Sequence, residues 1–314
     1  MKAALVHEVG AVPRLVEVGD PVAGEGEVVV EMTAAAINPA DLAIAAGLFH
    51  GGHPPLPYAP GMEAVGLVGG RAVFAYGGGL GVSRSGTLAE RFLAPASAVI
   101  DLPEGADPSV AAALGTAGLA GWLPMTYKAK VQPGEIVLVL GATGTAGTIA
   151  VQAARLAGAG KVIAAGRNAG KLERLADLVD ETVALEGEEM AAKLAEACRP
   201  GADVVYDPLW GDPLASALAA CAPDARIVHV GASAGQVAAL PSALVRGRRI
   251  SILGYSNAGV PRQVIVDAYL EMVRRSIAGE LNLEVASVPL GQVEHAWAET
   301  KAGGGKYVLV GGGR

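Results

Sequence analysis

Hydrophobic and polar positions divide the chain into two textures. Up to about residue 105 the apolar runs are short, such as Val28-Val29-Val30 and Ala72-Val73-Phe74, and lie between glycine and proline clusters. Met1 to Val6 reads as a strand start rather than a signal peptide. Residues 50–55 and 77–79 read as loops, 103–108 as a boundary, and the alanine-rich 109–114 as a helix. From Ile136 the pattern changes. Apolar runs at 136–140, 162–165, 204–207, 227–230 and 250–253 predict buried strands, and 146–156, 171–178 and 213–221 predict intervening helices. Such alternation predicts a parallel sheet with helices on both faces. A long helix over 262–277, a helix over 292–300 and a strand over 307–310 close the chain. The last strand is expected to return to the first domain and make it discontinuous.

Composition narrows the class. The 314 residues are 52% hydrophobic and 18% charged, which suits about two domains and excludes wholesale disorder. The net charge is −7, and the densest basic group is Arg246, Arg248 and Arg249, so a nucleic-acid partner is not expected. Cys198 and Cys221 allow neither a disulfide framework nor a cysteine-rich zinc site, and read as small buried residues of a cytoplasmic protein. The uncharged stretches 109–127 and 136–154 are alanine-dominated and interrupted by glycine and threonine, so no membrane span is expected.

The strongest motif follows the strand at 136–140. Gly141-Ala142-Thr143-Gly144-Thr145-Ala146-Gly147 leads from strand into helix, as in a dinucleotide fingerprint with alanine in place of one glycine. Backbone N–H groups and a helix N-terminus there suit a pyrophosphate. An NAD site usually carries a carboxylate at the end of the next strand. Here the chain reads Gly166-Arg167-Asn168 with Lys171 beyond, which suits a 2′-phosphate. NADPH is therefore the expected cofactor.

With the first domain included, these residues resemble the zinc-independent quinone oxidoreductase branch of the medium-chain dehydrogenase/reductase superfamily. The resemblance rests on Asn38-Pro39-Ala40-Asp41, Pro60-Gly61-Met62-Glu63, Gln132-Pro133-Gly134-Glu135, Asp207-Pro208-Leu209-Trp210-Gly211 and Gly304-Gly305-Lys306-Tyr307-Val308-Leu309, in that order. It implies a Rossmann doubly wound parallel sheet (109–261) and a discontinuous β-rich GroES-like catalytic domain (1–108 and 262–314). It also implies a cytoplasmic homodimer that takes a small electrophilic substrate. Hydride would pass from NADPH to a quinone or an α,β-unsaturated carbonyl, in a cleft between the domains. The zinc branch has Cys where Asn38 stands and His where Met62 stands, so no metal site is expected. Two features depart from the family: Phe49 replaces a frequent tyrosine, and the stretch from Glu63 to Phe74 is short.

The resemblance also supplies candidate roles. Asn38 would hold the nicotinamide ribose or the substrate oxygen, or else serve as a turn residue before Pro39. Thr116 would face the cofactor phosphates, or bond its own helix backbone. Backbone groups of Gly231, Ala232, Gly254 and Tyr255 would line the nicotinamide end. Tyr255 and Tyr58 are candidate proton donors, or anchors for their loops. Lys306 would approach a cofactor phosphate, or stay solvated. The five histidines show no metal-ligand spacing; His50 and His53 are candidate substrate contacts or solvated loop residues.

Other classes stay open. Gly231-Ala232-Ser233-Ala234-Gly235, with Asp267 and His295 downstream, matches the order of an α/β-hydrolase triad, though no helix is expected directly after Ser233. Atypical short-chain reductases share the glycine turn but place it near the N-terminus. A non-catalytic NADPH-binding or sensor protein of the same fold is the third alternative.

Overall fold

In the computed structural model, residues 1–49 and 51–311 are described, and His50 lies outside them. The chain divides into two units, Met1–Ala117 with Tyr269–Arg314, and Gly118–Ala268.

The first unit opens with the antiparallel pair β1 (Lys2–Leu5) and β2 (Arg14–Glu17). It continues through β3 (Glu27–Ala36), α1 (Pro39–Ala45), β4 (Glu63–Val68), β5 (Arg71–Tyr76), β6 (Arg91–Pro95), β7 (Val99–Asp101) and α2 (Pro108–Ala113). Gly69-Gly70 joins β4 directly to β5, which accounts for the short stretch before Phe74.

The second unit begins with α3 (Leu119–Leu123) and then alternates strand and helix: β8 (Ile136–Leu140), α4 (Thr145–Leu156), β9 (Lys161–Gly166), α5 (Ala169–Glu173), β10 (Glu181–Ala184), α6 (Met190–Ala197), β11 (Ala202–Asp207), α7 (Gly211–Ala217), β12 (Cys221–His229), α8 (Ser242–Gly247) and β13 (Ser251–Gly254). Every pairing in its sheet is parallel, in the order β10-β9-β8-β11-β12-β13. Numbered within the sheet this is 3-2-1-4-5-6, the doubly wound Rossmann order, with its switch point between β8 and β11. Val137 to Leu140 are wholly buried, because helices cover both faces of a parallel sheet. Leu138, Ile163, Leu194, Val205, Leu214 and Ile227 belong to its core. Cys221 opens β12 rather than ending a helix, and burial holds its thiol and that of Cys198 well above the usual range, at about 11 and about 12.

Helix α9 (Arg262–Ile277) leads back to the first unit, which ends with β14 (Ala286–Pro289), α10 (Val293–Ala302) and β15 (Tyr307–Val310). Strand β15 pairs antiparallel with β3, opposing Val308 to Ala36. The larger sheet of this unit runs β14-β15-β3-β4-β5-β7, and β6 pairs with the first half of β3. Its core includes Val30, Ile37, Tyr58, Phe92 and Trp297. Tyr269 stacks on Phe74 with ring centroids 3.9 Å apart and donates to the Ala111 carbonyl. Among the described residues no helix is long and apolar enough to cross a membrane.

Candidate functional site

In the second unit the glycine turn takes the form the motif predicts. Gly141 has φ +63°, a left-handed conformation directly after β8. Gly147 lies so close to the Gly141 carbonyl that a Cβ there would collide with it, which brings α4 tightly onto the strand. Gly144 caps the twelve-residue α4 without a side-chain bond. The N–H groups of Thr145, Ala146 and Gly147 form the first turn, which has no intrahelical acceptors. Thr148 Oγ1 donates to the Ala142 carbonyl (3.1 Å), and the Ala142 N–H donates to the Ala165 carbonyl at 3.0 Å. The turn thus lies beside the end of β9, with Gly166 against Thr143. These residues fit the pyrophosphate of a dinucleotide: a pinched backbone followed by the N-terminal dipole of a twelve-residue helix.

At the end of β9, Arg167 is exposed and has no ion-pair partner among the described residues. Asn168 is the N-cap of α5; its side-chain oxygen accepts from the Lys171 N–H at 2.9 Å. That oxygen serves the helix, and the cap fixes Lys171 in its first turn, four residues after Arg167.

The carboxyl ends of the next strands are only partly as expected. The Tyr255 N–H donates to the His229 carbonyl (2.9 Å), and its hydroxyl donates to Asn257 Oδ1 (2.8 Å). Both groups expected to serve cofactor or substrate therefore have protein partners. Gly254, the last residue of β13, has open space where a Cβ would stand. Gly231 and Ala232 follow β12, and Gly231 packs over the Pro208 carbonyl.

One arrangement at this edge is absent from the sequence-based expectations. Asp207 and His229 are the last residues of β11 and β12 and oppose each other in register. Asp207 Oδ2 lies 2.8 Å from His229 Nδ1, and its Oδ1 accepts from the N–H groups of Leu209 (3.0 Å) and Trp210 (2.9 Å). The Trp210 indole covers the imidazole, with centroids 4.3 Å apart. Trp210 has φ 57° and ψ −161°, a region that side-chain-bearing residues rarely enter and that costs about 1–3 kcal/mol. Each residue falls within a predicted strand, but only the register of the folded sheet brings the two together.

In the first unit Asn38, Glu63 and Lys306 come together with Asp41, but as a buried network. Asn38 is 1% exposed; its Nδ2 donates to Glu63 Oε1 (2.8 Å), and its Oδ1 accepts from Lys306 Nζ (2.6 Å). Lys306 also donates to the Ile37 carbonyl, and burial lowers its pKa. The Thr116 N–H donates to Glu63, as does the Thr87 hydroxyl to the Glu63 carbonyl. Neither the Asn38 amide nor the Lys306 ammonium is thus directed at a ligand; β3, α1 and β15 set them against each other. Asp41 reaches back to the Asn38 N–H at 2.8 Å, the carboxylate half of a capping box. Burial, reinforced by Glu63, pushes Asp41 up to about 7. Tyr58 is 2% exposed, and its phenol is pushed up to about 12 by burial and by Asp41. That burial removes it as a donor to substrate. His53 stacks against Tyr58 and its Nδ1 lies 2.7 Å from the Pro54 carbonyl. Met62 packs on the hydrophobic core, and the described residues hold no cluster of three or more His, Cys, Asp or Glu fit for a metal ion.

The hydrolase constellation is not assembled. Ser233 donates to the Pro208 carbonyl and no helix follows it before Ser242. Asp267 accepts from Gln263, and His295 stands edge-on to Tyr307.

Comparison with known proteins agrees with this architecture. Residues 24–104 match the alcohol dehydrogenase GroES-like domain, and residues 146–274 the zinc-binding dehydrogenase family. Quinone oxidoreductase-like protein 2 of Rattus norvegicus is 31% identical over 264 residues, 81% of this chain and 74% of that protein. The chain belongs to the quinone oxidoreductase branch of the medium-chain dehydrogenase/reductase superfamily. Among solved structures, the quinone oxidoreductase from Thermus thermophilus, also determined in complex with NADPH, has TM-score 0.81 and 32% identity, covering 99% of this chain and 100% of that one. An NAD-dependent alcohol dehydrogenase has TM-score 0.89 and 28% identity over 99% and 100%. Membership makes this protein an oxidoreductase of a family that uses a nicotinamide cofactor.

Proposed function

We propose that the protein is an NADPH-dependent, zinc-independent reductase of quinones or α,β-unsaturated carbonyl compounds. The observation that carries the cofactor choice is Arg167, an exposed guanidinium at the end of β9 beside the glycine turn, in the slot where NAD enzymes place a carboxylate. With Lys171 one turn on, it would clamp a 2′-phosphate. The N–H groups of Thr145, Ala146 and Gly147 would hold the pyrophosphate, and Gly231, Ala232 and Gly254 would border the nicotinamide end. When bound, the reduced cofactor supplies a hydride. The NADPH-bound Thermus thermophilus relative supports the choice.

Zinc independence rests on Asn38 and Met62. The Asn38 amide is committed to Glu63 and Lys306, and the Met62 thioether packs in apolar surroundings. Neither offers the thiolate or imidazole that zinc takes. A substrate carbonyl would then be polarised by hydrogen-bond donors alone.

The test is NADPH and NADH consumption on an α,β-unsaturated ketone and on a quinone, with a metal chelator present. Turnover with NADPH and little with NADH is expected. Turnover abolished by the chelator would overturn the zinc-free reading. Tight NADPH binding without turnover of any acceptor would favour the non-catalytic alternative.

A further inference from the structure

We propose that His229, held by Asp207, is the acid that protonates the α-carbon of an unsaturated carbonyl substrate after hydride arrives at the β-carbon. The inference rests on the reductase reading above and supplies the proton donor that the reading lacks. Tyr58 is buried, Tyr255 bonds Asn257, and Phe49 stands where the family often has tyrosine.

Four observations carry it. First, His229 ends the fifth strand of the doubly wound sheet, at the carboxyl edge where such sheets bind their ligands, two residues before Gly231. Second, the imidazole is oriented as acid–base imidazoles are. Asp207 is fully buried and lies 2.8 Å from Nδ1, so Nδ1 keeps its hydrogen and Nε2 is the nitrogen that gains or loses a proton. Third, Nε2 has no protein partner among the described residues, and the side chain is 27% exposed, so solvent can recharge it. A histidine that merely filled the core would be covered. Fourth, the same carboxylate fixes Trp210 in its strained conformation, and that indole lies tilted against the imidazole. Strained side-chain-bearing residues concentrate at working sites.

The groups facing His229 are Asp207 from β11, Trp210 at the start of α7, and Tyr255 after β13, whose N–H bonds the His229 carbonyl. Asp207 is the charged one among them. In the step, hydride bonds to the β-carbon and the C=C electron pair moves toward the carbonyl oxygen. The α-carbon then takes the proton from Nε2, so one C–H bond forms as one N–H bond breaks. Water returns the proton to the neutral imidazole. The balance is one NADPH and one proton consumed per saturated ketone.

Two measurements test this. The first uses the cofactor-free wild-type protein: 15N NMR of the ring nitrogens across pH. In the neutral ring Nδ1 is expected to carry the hydrogen and Nε2 to be bare. A neutral ring with its hydrogen on Nε2 would overturn the proposal, and this readout depends on neither turnover nor a variant. The second uses an α-methyl enone reduced in D2O. The wild type should deliver deuterium to one face of the α-carbon. His229→Gln should bind NADPH within about twofold of wild type, lose about 10²-fold in enone turnover, and give both configurations at that carbon. His229→Asn, whose amide can keep the Asp207 bond, should behave alike. Retained turnover with retained facial selectivity in either folded variant would overturn the proposal, as would a wild type without facial selectivity. A wild type that reduces no acceptor overturns the reductase reading, and this inference with it.

Discussion

Replacing Asp41 by asparagine should stabilise the protein, and increasingly so as pH rises. The carboxyl group is 1% exposed; Oδ2 accepts the Asn38 N–H, and Oδ1 is buried with no hydrogen-bond partner among the described residues. Glu63 and Lys306 already balance each other in the network, so an ionised Asp41 would leave an uncompensated buried charge. Burial accordingly raises its pKa from 3.8 to about 7. Between those values the folded state holds a proton that the unfolded state has lost, so stability falls as pH rises through this window and is level above it. About three units at about 1.4 kcal/mol each make roughly 4 kcal/mol lost between pH 4 and pH 8. The substituted amide would keep the acceptor for the Asn38 N–H and put an N–H where the acid's hydrogen stood, without a titration. Urea unfolding of wild type and Asp41→Asn at pH 4, 6 and 8 measures the difference. The variant should match wild type at pH 4 and exceed it by several kcal/mol at pH 8. A difference independent of pH would show that Asp41 titrates normally and would refute the charge argument.

Other consequences are open to direct measurement. Arg167→Asp should weaken NADPH binding about tenfold to a hundredfold, the worth of a charge-assisted hydrogen bond, and shift preference toward NADH. Titration of both cofactors checks this, and an unchanged ratio would dismiss Arg167 as the selector. Gly147→Ala forces a Cβ into the Gly141 carbonyl, which should cost about 1–3 kcal/mol of stability and weaken cofactor binding at the same time. Thermal unfolding with and without NADPH reads both effects, and an unaltered Tm would show that α4 can move away from the turn.

Legibility in the sequence follows locality. The strands β8, β9 and β11 are plain because a sheet covered on both faces demands unbroken apolar runs. Strand β10 escapes a reading by pattern: it is an edge strand with one fully buried residue in four, so no run marks it. Of the start of β12, Cys221 reads as helix and the residues up to Arg226 go unassigned, because Pro223 and Asp224 interrupt the apolar run, the latter with φ +63°. The glycine turn is readable as function because strand, turn and helix are contiguous. Asp207 and His229 are separated along the chain and meet only through sheet register, so the sequence does not mark them as a pair.

The network around Asn38 is hidden for a deeper reason. Residues 38, 63 and 306 come from α1's N-terminus, β4 and the segment before β15. Taken singly, Asn38 and Lys306 have the chemistry of ligand-facing groups. Their burial makes all three interdependent. Lys306 Nζ is 3.8 Å from Glu63 Oε1, too long for a hydrogen bond, and the Asn38 amide closes that gap by accepting from one and donating to the other. A thiol at this position is only a weak donor and a weak acceptor through one sulfur atom, and would leave a buried ammonium and carboxylate each short of a good partner, the costly case for a polar network. In this chain, therefore, asparagine at position 38 is not simply a lost metal ligand. It is the neutral link through which the first unit holds a buried lysine on the same strand pair, β3 and β15, that ties the two ends of the unit together.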